Sequence, residues 1–177
     1  MTGSTGYRCL KPSAFCSCGS FRWSNGGCAG TLRMNPDFID LLRAFVAADV
    51  RFLVVGAYAL ALHGRPRATG DLDVWIDATP ENAARVMRAL TDFGAPVADL
   101  DEADFARPGV VYQIGVPPGR IDILTELTGI TFAEAWPDRL RRPFGETDVD
   151  FIGLVAFVRN KRAVGRPKDL ADIAGLV

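Results

Sequence analysis

Residues 71–77 read DLDVWID, with carboxylates at alternate positions and apolar side chains between them. That period-two pattern marks a strand with one polar and one buried face. Asp71 and Asp73 then project on the same side, while Leu72 and Val74 anchor the other side in a core. The chain can supply such a core: of its 177 residues, 49% are apolar and 23% charged, which suits a single folded domain and argues against disorder.

Two carboxylates on one strand face repel. A divalent cation, typically Mg²⁺, relieves the repulsion by taking their oxygens as ligands, and a solvated acidic edge is the alternative. Asp122 lies between Ile121 and Ile123 in a later apolar segment and projects from it in the same way. Three carboxylates from two strands suit a two-metal site, whereas an exposed Asp122 paired with Arg120 is the plainer reading. Upstream, Gly56 stands between the apolar run 52–55 and a short helical segment whose first turn offers free N–H groups to an anion.

The remaining pattern gives an α+β domain with a small mixed β-sheet flanked by helices. Helical spacing over 36–49 opens the domain, and Thr79 and Pro80 start a helix that runs to Gly94. Residues 110–116 and 120–124 flank a Pro-Pro-Gly turn and read as a hairpin. A segment over 132–140, a strand near 149–152 and two short helices split by Gly165 and Pro167 finish the chain. Residues 1–33, rich in Gly and Ser, read as a flexible extension, with a translation start at Met34 as the alternative. Cys9, Cys16, Cys18 and Cys28 all fall there, at spacings that match zinc patterns poorly.

The segment VVGAYALALHGRPRATGDLDVWID resembles the signature of the DNA polymerase β-like nucleotidyltransferase superfamily. Val55, Gly56 and Ala57 are followed by a spacer of thirteen residues and then Asp71, Leu72, Asp73 and Val74. Ala57 departs from the Gly or Ser that many relatives carry, so a hydroxyl contact to phosphate is lost. The C-terminal NKRAVGRPKDLADIAGL resembles the closing motif of a small bacterial branch of uncharacterised nucleotidyltransferases similar to AbiEii-type toxins.

The resemblance implies a nucleotidyltransferase-like fold and transfer of an NMP from an NTP to an acceptor hydroxyl. Asp71, Asp73 and Asp122 would hold two Mg²⁺ ions, with Mn²⁺ an alternative, and Lys161 would contact the triphosphate. Asp172, rather than Asp169, would orient Lys161. Gly56, Ala57, Arg65, Arg67 and Thr69 are further nucleotide-binding candidates, the last three with ordinary surface roles as the alternative. The acceptor implied is the 3′ end of tRNA or a protein, possible partners being those of a toxin-antitoxin system. Small-molecule transfer of the aminoglycoside-modifying kind, with acidic residues 99–104 lining an acceptor pocket, competes with this, as does a non-catalytic nucleotide- or partner-binding module.

A net charge of −1 excludes bulk electrostatic adhesion to nucleic acid, although Arg159, Lys161, Arg162, Arg166 and Lys168 fall within ten residues and form a local basic patch or a solvated helix face. No apolar run suits a bilayer span and no secretory signal is evident, so a cytoplasmic location is expected. His63, the one histidine, reads as a helix-end residue, and Trp75 as a packing residue.

Overall fold

The computed structural model describes residues 35–176, so the expectations for residues 1–33, the four cysteines and Met34 lie outside the described residues. Helix α1 (Pro36–Ala47) starts where Asn35 accepts a hydrogen bond from the Asp37 N–H at 3.0 Å and proline occupies the first helical position. Its apolar stripe, Phe38, Leu41, Leu42 and Phe45, is buried, each residue worth about 1.5–3 kcal/mol on the usual area scale. Strand β1 (Phe52–Val54) leads into α2 (Gly56–Leu62), and β2 (Asp71–Ile76) into α3 (Pro80–Phe93), which is capped by Thr79. After α4 (Glu102–Phe105) come the hairpin strands β3 (Val111–Ile114) and β4 (Arg120–Leu124). Then follow α5 (Phe132–Ala135), β5 (Leu140–Phe144), β6 (Thr147–Phe151), α6 (Leu154–Val164) and α7 (Pro167–Ile173).

Among the described residues the strands form one six-stranded mixed sheet in the order β3-β4-β2-β1-β6-β5. Strand β2 runs parallel to β4 and antiparallel to β1, and β1 runs parallel to β6. Leu72, Val74, Ile121 and Ile123 are buried on the face opposite the carboxylates, as alternation requires. Helix α1 packs on α3 and on β6. This is the expected α+β architecture with a mixed sheet. No helix among the described residues is long and apolar enough to cross a membrane.

Two local expectations are corrected. The acidic residues at 99–104, which read as a solvated loop if they do not line a pocket, are only partly loop: Asp101 and Asp104 cap each other's backbone and start α4. Strand β5 was not expected, because LRRPF carries charge and proline. It is an edge strand paired only with β6, where proline and exposed arginines are tolerated.

Asn82, 1% exposed in the first turn of α3, joins the two central strands that build the site. Its Oδ1 accepts from the Arg51 N–H at 2.7 Å, and its Nδ2 donates to the carbonyls of Arg51 (3.0 Å) and Asp77 (2.9 Å). These groups adjoin the start of β1 and the end of β2. Replacing Asn82 by Ala leaves buried backbone groups unpaired and is expected to cost about 2–3 kcal/mol. Urea denaturation measures this; a loss under about 1 kcal/mol rules the staple out.

Candidate active site

Because β1 runs antiparallel to β2, the C-terminal end of β1 lies beside the start of β2. Val54 is paired with Val74, and the Val55 N–H donates to the Asp73 carbonyl at 3.0 Å. The chain then turns at once into α2 through Gly56, whose φ of 60° lies in the left-handed region. A Cβ on Gly56 would also run into the Asp73 carboxylate, so the glycine is required twice, by backbone and by space. Helix α2 has no side-chain N-cap, and its first internal bond runs from the Ala59 N–H to the Val55 carbonyl. The N–H groups of Gly56 and Ala57 are therefore left over by the helix, and both residues line the cleft.

The parallel register of β2 and β4 sets Asp73 opposite Asp122 and Asp71 opposite Arg120, all on one face. Gln113 of β3 is opposite Asp122 in turn and donates to its Oδ1 at 3.0 Å. Asp122 is only 7% exposed. Its pairing with Arg120 is present, with Nε 3.0 Å from Oδ1, but the carboxylate is buried rather than the exposed one that reading required, and it stands opposite Asp73. Burial pushes the Asp73 carboxyl above the ordinary carboxylate range, Asp122 and Asp71 push it further, and Lys161 and Arg120 offset part of this.

An open cleft of about 640 Å³ lies over this face. Its other wall comes from α6 and α7, which follow β6; because β6 is parallel to β1, α6 leaves the sheet at the same end as α2. Lys161 of α6, 9% exposed, lines the cleft and is held by Asp169 through a hydrogen bond and by Asp172 at 3.3 Å. The expected Asp172 contact is present, and Asp169, not expected as the main partner, lies closer. Asp172 also holds Arg67 at 3.4 Å. Burial raises the Asp169 carboxyl, but hydrogen bonds from Lys161 and Arg166 outweigh it and hold the group below its ordinary value.

Arg67 and Thr69 line the cleft, and the Thr69 hydroxyl exchanges hydrogen bonds with the backbone of Asp71. Arg65 is not among the lining residues: its guanidinium donates to the Ala171 carbonyl at 3.2 Å, so it braces α7. His63 ends α2 with Nε2 3.0 Å from the Ile152 carbonyl, and burial lowers its pKa. Trp75 is buried against Phe132, ring centroids 5.0 Å apart. Glu126 and Asn160 also line the cleft; Glu126 stands in no patterned segment, and Asn160 opens the C-terminal motif, where the lysine beside it carries the resemblance.

Among the described residues no three His, Cys, Asp or Glu side chains are gathered closely enough to hold a metal ion as they stand. The donor set nevertheless suits a hard divalent cation, being three carboxylates on one face. Asp71 Oδ1 is buried without a hydrogen-bond partner, which leaves an acceptor to fill.

Two outcomes are expected. Gly56→Ala should destabilise by about 3 kcal/mol or more, because backbone strain adds to the collision with Asp73. Gly64→Ala, at φ 95° with nothing within 4 Å of the added Cβ, should cost only about 1–2 kcal/mol. Equal losses in thermal or urea unfolding would show that contact with Asp73 is immaterial. The second concerns pH. The folded-state pKa of Asp73 lies above its unfolded value of about 3.9, so the stability present while the carboxyl is protonated is lost as pH rises through the folded value. Asp73→Asn should therefore raise the melting temperature at pH 7 in cation-free buffer, with the gap closing toward pH 4. A lower melting temperature for the variant at pH 7 contradicts the account.

No protein-family model matches the chain, and no curated protein matches it. Among solved structures it is similar to that of a Thermotoga maritima protein described as a candidate nucleotidyltransferase. The two are 13% identical, the match covers 79% of this chain and 92% of that chain, and the TM-score is 0.53. At that identity the likeness concerns the fold, which is nucleotidyltransferase-like.

Proposed function

We propose that the chain is a metal-dependent nucleotidyltransferase that moves an NMP from an NTP to an acceptor hydroxyl. The observation that carries this is the register of β2 and β4, which sets Asp71, Asp73 and Asp122 on one face beside the free N–H groups of Gly56 and Ala57. Asp71, Asp73 and Asp122 would hold divalent metal, two Mg²⁺ ions or Mn²⁺, and bound metal supplies neutralisation of charge on the reacting phosphates and activation of the hydroxyl. The acceptor oxygen bonds to the α-phosphorus, the bond to the β-phosphate oxygen breaks, and pyrophosphate leaves. The hydroxyl proton passes to a site carboxylate, with Asp122 as acceptor. Lys161, fixed by Asp169 and Asp172, and the N–H groups at the start of α2 bind and orient the triphosphate.

The reading favours a macromolecular acceptor, RNA such as the 3′ end of tRNA or a protein, because Arg67, Arg166 and Lys168 give the cleft a basic wall. Asp99, Asp101, Glu102 and Asp104, which a small-molecule reading would use as an acidic pocket, lie at or just before α4 and do not line the cleft. A non-catalytic module has no physical reason to keep a half-buried carboxyl whose charge its neighbours oppose. The link to a toxin-antitoxin pair rests on the C-terminal resemblance.

The test is incubation with labelled ATP, CTP, GTP or UTP, Mg²⁺, total tRNA and cell lysate. One nucleotide should label one acceptor class, and Asp73→Asn should cut the rate by roughly 10²-fold or more. No labelled product under any combination sinks the proposal.

A further inference from the structure

Arg120 stands two residues before Asp122 on β4 and opposite Asp71 on β2, so its side chain leaves the sheet on the face that carries all three carboxylates. Its Nη2 donates to Asp71 Oδ2 at 2.9 Å while its Nε lies 3.0 Å from Asp122 Oδ1. One planar guanidinium thus spans two of the three carboxylates, hydrogen-bonded to Asp71 and ion-paired with Asp122 without a hydrogen bond, a span that a point-charge ammonium cannot reproduce. With Arg120 there, one oxygen of Asp71 and one of Asp122 are already engaged, and the three carboxylates are not gathered as a ready cation site. The Arg120 side chain is 30% exposed and lines the open cleft, so it has room to withdraw.

We propose that Arg120 is an internal counter-ion that holds Asp71 and Asp122 in the cation-free protein and is displaced when a divalent cation takes those carboxylates. Cation loading and release of the guanidinium into the cleft are then one event. The inference rests on the metal-site reading above and adds a competitor to it. Three carboxylates against one guanidinium leave excess negative charge, so Arg120 steadies the site without neutralising it. A displaced Arg120 is a cation at the wall where an anionic nucleotide would lie. By linkage, whatever holds it there strengthens cation binding to the same degree.

The experiment is a titration of the full chain with Mn²⁺ alone, following the free ion by electron paramagnetic resonance. The proteins are the wild type, Arg120→Gln, Arg120→Lys and Asp71→Asn, each checked for folding by its circular dichroism melt. Arg120→Gln should bind Mn²⁺ about tenfold more tightly than the wild type, within the range of about 5- to 150-fold typical of coupled sites. Arg120→Lys, which keeps the charge and loses the bridge, should fall between them. Both Arg120 variants should melt lower without cation and recover more on adding Mn²⁺. Equal or weaker affinity in both Arg120 variants, with Mn²⁺ binding lost in Asp71→Asn, overturns the counter-ion role and leaves the metal site standing. Absence of any Mn²⁺ binding that depends on Asp71 overturns the metal reading and this inference together.

Discussion

Asp73 and Asp122 face each other across a parallel strand pair, and the repulsion between them sets the terms for everything around them. A parallel pair cannot be joined by a tight turn; the connection must travel, and here it carries α3, α4 and the antiparallel partner β3. The carboxylates are thereby held by sheet hydrogen bonding on both sides and cannot separate to relieve their charge. Relief has to come from outside the strands. Arg120 and Gln113 supply part of it at Asp122, and Lys161 supplies some at Asp73 from a different element altogether.

The same constraint explains Gly56. Bringing β1 alongside β2 places its C-terminal end against the Asp73 side chain, and the chain must turn there into α2 with no volume to spare. The glycine, the uncapped helix start and the half-buried carboxylate are therefore a single packing solution rather than separate features. Any anion bound at the N-terminus of α2 would meet Asp73 across a short gap, a geometry that is repulsive unless positive charge intervenes.

Much of this was legible in the sequence because it is written in local patterns. Period-two alternation in DLDVWID gives the strand and the shared face of Asp71 and Asp73, and Thr79 with Pro80 marks the start of α3. The hairpin follows from its turn residues. What was hidden depends on partners distant in sequence. Strand β5 is a strand only because β6 pairs with it, and nothing in LRRPF alternates usefully. The choice between Asp169 and Asp172 turns on how α7 docks against α6 after Gly165, which spacing alone leaves open. Arg65 and Arg67 look equivalent on a loop, yet one braces α7 and the other lines the cleft.

The basic C-terminal segment shows how a charge run can mislead when read as a list. Lys161 is buried between Asp169 and Asp172, Arg166 shares Asp169, and Arg159 is paired with Glu134. A buried ion pair of this kind is weak evidence for stability, since desolvation offsets most of the attraction. Its effect is geometric: Arg67, Asp172, Lys161, Asp169 and Arg166 form one chain of contacts from the loop before β2 through α6 to α7. The lysine is fixed in place with its charge matched, and the positive charge it presents to the cleft is smaller than its residue type suggests. The cations of that wall that stay exposed are Arg166, itself paired with Asp169, and Lys168.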